Sequence, residues 1–279
     1  MEEEFVYIDQ YIRAYHNRRF TGAHNVFAAY DRPFYRLYHV LSGGSTFYVD
    51  GNSYHAGPGD ILLFDSGEVC RQVLDPFVEY ERVVVNFYPE MVDSFDPTRE
   101  MFRPFLLSAH RGRHLLHTDD FPDFPWREVS LQMTKPEKKP RLNVYSSFFR
   151  LCSAVSSVFD GLSADAPVSD RDRLVQDTVQ YLNDHLTEPL NIETLVRTLK
   201  VSSSTLYSRF TASVGVPIRQ YVTTRRMSMA RELLGNGLSA QEVCARCGYT
   251  EYSTFFRAFR KQFGFSPSEI DRHKEDRFY

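Results

Sequence analysis

Residues 190–215 read LNIETLVRTLKVSSSTLYSRFTASVG and residues 238–264 read LSAQEVCARCGYTEYSTFFRAFRKQFG. Both have the pattern of a short helix, a tight turn and a second short helix. In the first, Ile192, Leu195, Val196 and Leu199 recur at helical spacing, and a Val201-Ser202 turn precedes Leu206 and Phe210, four apart. In the second, Val243 and Cys247 precede a Gly248-Tyr249 turn, after which Phe255 and Phe259 are again four apart. Large apolar groups at i and i+4 share one helix face, which packs inward. The opposite face carries Ser203, Ser204, Tyr207, Ser208 and Thr211 in the first copy, and Ser253, Phe256, Arg257, Arg260 and Lys261 in the second. Hydroxyls, an aromatic ring and guanidiniums there suit entry into a DNA major groove. Gly248 suits a sharp turn that needs a positive φ. Phe256 either meets a thymine methyl or packs on Tyr252.

Between the copies, residues 216–234 form one helical pattern, with Pro217 at its start, Gly235 and Gly237 past its end, and an apolar stripe of Tyr221, Val222, Met227, Ala230, Leu233 and Leu234. Eighteen residues at about 1.5 Å each make a strut of about 27 Å. A strut of that length can hold two recognition helices for successive major-groove faces, which lie about 34 Å apart.

The string from Tyr221 through Arg226-Met227, Ala230 and Leu234, then Ala245-Arg246-Cys247-Gly248-Tyr249, Ser253 to Lys261 and Gly264 to Pro267, resembles the DNA-binding domain of the AraC/XylS family of bacterial transcription regulators. The resemblance covers roughly the last hundred residues. It implies a tandem helix-turn-helix domain, duplex DNA as a partner, and RNA polymerase as a candidate further partner. Lys200 stands where the first turn often has a small residue, and Asp271 where a basic residue is usual after the Ser-Pro turn.

Over 279 residues the formal charge is −3, unevenly spread. Residues 171–279 hold sixteen Lys and Arg against twelve Asp and Glu, and residues 1–170 seventeen against twenty-four. A basic module on an acidic carrier follows. The start, Met-Glu-Glu-Glu-Phe, lacks a basic segment followed by an apolar run, and no stretch approaches eighteen apolar residues, so a cytoplasmic protein without membrane partners is expected. Four cysteines are too few and scattered for a disulfide framework. Cys244 and Cys247 share a helix face and fill core space, since zinc needs two more ligands and no second Cys/His pair lies nearby.

Short β-rich runs at 36–41, 46–49, 53–55, 61–64 and 81–87 alternate with turns such as Asp50-Gly51-Asn52 and Gly57-Pro58-Gly59-Asp60. Such spacing within residues 20–90 points to a small barrel or jelly roll. The string Tyr48 to Leu63 resembles the cupin-type sensor domain that commonly precedes the AraC-type reader. At spacings where many cupins place metal ligands, the chain has Tyr30, Arg32, Arg36 and Cys70, a set that repels a divalent cation. No metal, cofactor or catalytic residue is expected. A pocket of Arg32, Arg36, Tyr30, Tyr38 and His39 instead suits a sugar or small carboxylate, although Tyr38 and His39 should point oppositely along a strand.

His110, His114 and His117 read as exposed loop or helix-end groups. From Arg141, Val144, Phe148, Leu151, Cys152, Val155, Val158 and Phe159 line a helix face. The resemblance implies a dimer seam there, making the chain a homodimer; packing against the barrel is the alternative. Residues 161–170 read as a linker and a last helix begins after Ser266-Pro267. The expected architecture is α+β with two domains. Residues 1–160 form a cupin-like barrel with flanking helices, and residues 171–279 an all-α tandem helix-turn-helix. The expected role is a ligand-responsive transcription regulator. A cupin-type enzyme would need a metal or an acid/base pair in the barrel, and an adaptor that ignores DNA would leave Arg257, Arg260 and Lys261 without a role.

Overall fold

The computed structural model describes residues 3–19, 26–30, 34–75, 77–111, 114–135, 140–161 and 173–270. Its amino-terminal half holds, among the described residues, the strands β1 (Glu3–Ile8), β2 (Ile12–Arg19), β3 (Val26–Tyr30), β4 (Tyr35–Ser42), β5 (Ser45–Val49), β6 (Asn52–Ala56), β7 (Asp60–Phe64), β8 (Cys70–Leu74) and β9 (Tyr80–Phe87). Helix α1 (Arg103–Arg111), strand β10 (Leu115–His117) and helices α2 (Trp126–Gln132) and α3 (Pro140–Gly161) follow. Two antiparallel sheets result, a six-stranded one ordered β1-β2-β9-β4-β7-β10 and a four-stranded one ordered β3-β8-β5-β6.

The six-stranded sheet is covered on both faces. Tyr38, Val40, Leu62, Phe64 and Val84 face the smaller sheet and pack on its Phe47, Val49 and Tyr54. Leu37, Ile61, Leu63, Val83, Val85 and Phe87 face outward onto the helical layer. Seven of the eight residues of β4 are therefore buried, Arg36 and His39 among them, so burial along the strand does not alternate.

Three expectations need correction. Strands begin at Glu3, not near residue 20: β1 and β2 form a hairpin whose turn is held by Asp9, which accepts from the backbone N–H of Tyr11 and Ile12 at 2.9 Å each. The apolar face of α3 is not a dimer seam, because Val144, Phe148, Leu151, Cys152, Val155, Val158 and Phe159 lie at most 3% exposed against the sheet of the same chain. His114 is not an exposed loop group; it is 1% exposed and bonds Glu68 and Tyr54. His117 is exposed as expected and pairs with Asp60, and the side chain of His110 lies outside the described residues.

The carboxyl-terminal half is helical: α4 (Arg173–Asp184), α5 (Ile192–Leu199), α6 (Ser203–Val214), α7 (Ile218–Gly235), α8 (Ala240–Arg246) and α9 (Tyr252–Phe263). After Ser266 the described residues form a 3₁₀ turn, Pro267–Glu269, closed by reciprocal bonds between Ser266 and Glu269; the rest of the expected last helix lies outside them. Residues 271–279, with Asp271, and residues 162–172, with most of the expected linker, lie outside the described residues. The long helix α7 serves two cores. Its Ile218, Tyr221 and Val222 join Leu195, Leu206 and Phe210; its Met227, Ala230 and Leu234 join Val243, Cys247, Phe255 and Phe259. Cys244 and Cys247 sit in that second core, where burial raises both thiols, Cys247 to about 11.

Candidate nucleic-acid interface and sensor site

Helices α6 and α9 are twelve residues each and end on the left-handed glycines Gly215 (φ 87°) and Gly264 (φ 82°), so they align residue for residue. Leu206 and Phe210 take the buried positions of Phe255 and Phe259. On the outside Tyr207 corresponds to Phe256, Ser208 to Arg257, Thr211 to Arg260 and Ala212 to Lys261. Ser203, Ser204, Tyr207, Ser208, Thr211, Ser253, Arg257, Arg260 and Lys261 are all exposed, and Phe256 is half-buried. The Phe256 ring centroid lies 6.3 Å from that of Tyr252, within packing distance, and the residue is half-exposed.

Local bonding grades these groups. Ser202 caps α6 by accepting from the Thr205 N–H, and its hydroxyl also meets Ser204 at 3.0 Å. The Ser208 hydroxyl donates back to the Thr205 carbonyl at 3.2 Å, as hydroxyls inside helices commonly do. Arg257 rests on its own helix, Nε donating to the Ser253 carbonyl at 3.3 Å. Arg209, also exposed on α6, was not among the sequence candidates; Ala258 stands at the matching position of α9.

Arg226 of α7 locks the two units together. It donates to the carbonyls of Leu186 (2.7 Å), Glu188 (2.5 Å) and Gly248 (3.3 Å) and lies 5.4 Å from the Tyr249 ring centroid. At Gly248 (φ 75°) a Cβ would fall 2.3 Å from the Thr187 carbonyl oxygen, so glycine is required sterically as well as conformationally.

In the sensor, strand register builds the interior wall. Arg13 and Arg36 flank Asn86 across three adjacent strands, and one step along Tyr15 and Tyr38 flank Val84. Arg36 donates to the Asn86 amide oxygen at 2.7 Å. Its guanidinium lies 5.6 Å from the Tyr38 ring centroid, and that of Arg82 lies 5.7 Å from the same ring. Burial raises the Tyr15 hydroxyl, reinforced by Tyr38 and opposed by Arg36, Arg82 and Arg13, which places three guanidiniums around one ring. Arg36 and Tyr38 thus face the interior as expected. His39 does not: it points into the helical layer, bonds Ser130 at 2.7 Å, and burial beside Arg127 lowers it to about 4, so it is neutral. Arg32 and the side chain of Tyr30 lie outside the described residues. Arg13, Tyr15, Arg82 and Asn86 were missed, although their alternation with Ile12, Ala14, Val83 and Val85 on β2 and β9 marks one face. Cys70 is buried and its thiol pushed up to about 12, an inert group. Among the described residues no three His, Cys, Asp or Glu side chains gather around a cation position.

A two-sheet sandwich with Arg36 and Tyr38 on its inner wall, joined to two matched helix-turn-helix units on one strut, is the build of a two-domain regulator, a sensor domain followed by a DNA-binding domain. Residues 16–118 match the family described as AraC-like ligand binding domain, and residues 195–273 the helix-turn-helix domain family. The chain belongs to the AraC family of transcription regulators. It is 24% identical to the uncharacterized HTH-type transcriptional regulator YdiP of Escherichia coli K12 over 87% of this chain and 80% of that protein. It is 21% identical to the Msm operon regulatory protein of Streptococcus mutans over 85% and 83%. Among solved structures, ToxT from Vibrio cholerae O395 bound to (E)-4-(8-methylnaphthalen-1-yl)but-3-enoic acid covers 95% of this chain and 99% of that one, at 16% identity and a TM-score of 0.38. Among the described residues no helix is long and apolar enough to cross a membrane.

Proposed function

We propose that the chain binds specific duplex DNA by placing α6 and α9 in successive major grooves, and that a small acidic or polyhydroxylated effector in the sandwich interior controls this binding. The observation that carries the first half is the residue-for-residue match of α6 and α9 on the ends of one helix. Ser203, Ser204, Tyr207, Ser208 and Thr211 then supply weaker contacts, and Ser253, Phe256, Arg257, Arg260 and Lys261 the stronger ones. Gel-shift titration on the DNA flanking its own gene tests it: binding that resists nonspecific competitor is expected, and equal affinity for every fragment overturns it.

Support for the effector class comes from Arg36 and Tyr38, together with Arg13, Tyr15 and Arg82, on the interior wall. Guanidiniums suit carboxylates or vicinal hydroxyls, and tyrosine rings suit a sugar face. A thermal-shift screen of sugars, sugar acids and small carboxylates should find a stabiliser. A true ligand at a hundred times its Kd adds about 2.7 kcal/mol. The role is regulatory rather than enzymatic, the domains divide near residues 160 and 171, and the chain works in the cytoplasm. The homodimer reading now rests on the outward side of α3, where Leu142 is 65% exposed and Phe149 meets Phe95, itself 60% exposed. Sedimentation of the purified chain against a Leu142→Glu variant tests it.

A further inference from the structure

The two domains meet through two sensor turns, residues 49–52 between β5 and β6 and residues 65–69 between β7 and β8. Val69 enters the apolar core of the first helix-turn-helix. Gly51 (φ 82°) lies so close to α4 that a Cβ would fall 2.9 Å from Val175. Asn52 accepts from Gln176 at 2.5 Å, and Arg71 donates to the Ala212 carbonyl at 2.8 Å.

At the centre of this contact sits a cluster of charges. His114 bonds Glu68 at 2.7 Å and Tyr54 at 2.9 Å. Glu68 also accepts from the Asp65 N–H at 2.7 Å. Arg225 of α7 reaches across to donate to the Gly67 carbonyl at 2.5 Å, with Asp50, Glu68 and Asp65 around it. Tyr221, one turn earlier on α7, bonds both Asp50 and Asn183. Tyr35 bonds Asp65 from β4, and Cys70 and Arg36 lie behind Glu68. Three carboxyls therefore converge on one arginine and one histidine. The second oxygen of Asp50 is buried without a hydrogen-bond partner, and so is Nε of Arg225. Burial and the neighbouring Glu68 penalise an ionised carboxylate there, with Arg225 offsetting part of the cost, and protonation removes the charge penalty.

We propose that Asp50 and Asp65, with Glu68, His114 and Arg225, form a proton-operated latch, in which the docking of reader on sensor takes up protons and their release favours separation. A cleft of about 580 Å³, lined by Asp65, Ser66, Tyr88, Arg225, Ser228 and Arg231, borders the latch at Asp65 and Arg225. Its sign follows from where each group goes. Docked, burial raises both Asp50 and Asp65, the latter to about 7, with Glu68 reinforcing the rise and Arg225 opposing it. Opened into water, Asp50, whose partners Tyr221 and Arg225 lie on the reader, returns toward the ordinary carboxylate value of about 4, whereas Asp65 keeps Glu68 beside it and returns only in part. Docking is then strongest in acid and weakens as pH rises toward 7, by about tenfold per pH unit for each proton held. Burial alone would lower His114, but Glu68, Asp50 and Asp65 more than reverse this; its partner Glu68 travels with it in the same domain, so it contributes less.

Hydrogen–deuterium exchange on the full chain, corrected for the intrinsic pH dependence of amide exchange, reads the docked-to-open ratio. Protection of segments 49–54 and 174–182 should fall at least about tenfold from pH 5 to pH 8 relative to β9. The D50N/D65N double variant, with carboxamides in place of protonated carboxyls, should stay protected and lose most of that slope. A flat wild-type profile, or an unchanged slope in the variant, overturns the latch. If the double variant loses protection in β9 itself, D50N and D65N taken singly decide, each losing part of the slope if the latch exists and none if it does not. The measurement needs neither DNA nor effector, so it can fail while the regulator reading stands.

Discussion

The two helix-turn-helix units share a geometry and differ in almost everything laid over it. The first presents hydroxyls and Tyr207, caps its recognition helix with Ser202, makes its inner turn on Lys200 (φ 53°) and packs on the sensor through Val69. The second presents Arg257, Arg260 and Lys261, has no side-chain cap at Glu251, and turns on Gly248. Equal scaffolds thus carry unequal surfaces: the second unit exposes the cations proposed to meet DNA, and the first packs against the sensor.

The largest expected break in this symmetry is at the turns. Gly248→Ala should cost about 2–4 kcal/mol in chemical denaturation, because a methyl collides with the Thr187 carbonyl and the backbone is left-handed. Lys200→Gly at the matching turn should instead stabilise by up to about 1 kcal/mol. Next come the reading faces. Arg257→Ala should cost about 1–3 kcal/mol of DNA affinity, concentrated at one base pair, whereas Ser208→Ala at the matching position should cost under about 0.5 kcal/mol because its hydroxyl already bonds Thr205. Equal losses from both would erase the division. Lys261→Ala should weaken binding to all sequences and reduce the salt slope by about 1, and Ala212→Lys should steepen it by a similar amount if the first unit lies on the same duplex. The smallest effect is at the caps: Ser202→Ala should destabilise by about 1 kcal/mol, and Glu251→Ser should stabilise by a few tenths to about 1 kcal/mol.

Helical periodicity carried the reader because Leu206, Phe210, Phe255 and Phe259 answer to neighbours within their own unit. The same signal failed for α3: period locates an apolar face without naming what covers it, and the cover was a sheet contributed by residues far along the chain. His114 was illegible for a related reason, since its partner Glu68 lies 46 residues away. Alternation set Tyr38 opposite His39, but β4 is buried on both faces, so which of the two faced the smaller sheet was not legible until the partner strands were known. The hairpin of β1 and β2 was passed over because charged side chains interrupt it, although Ile12 and Ala14 alternate correctly with Arg13 and Tyr15.

Val69 has a consequence for modularity. A single apolar knob from the sensor completes the wall of the first reading unit, so grafting this reader onto a foreign chamber would leave a socket open to solvent.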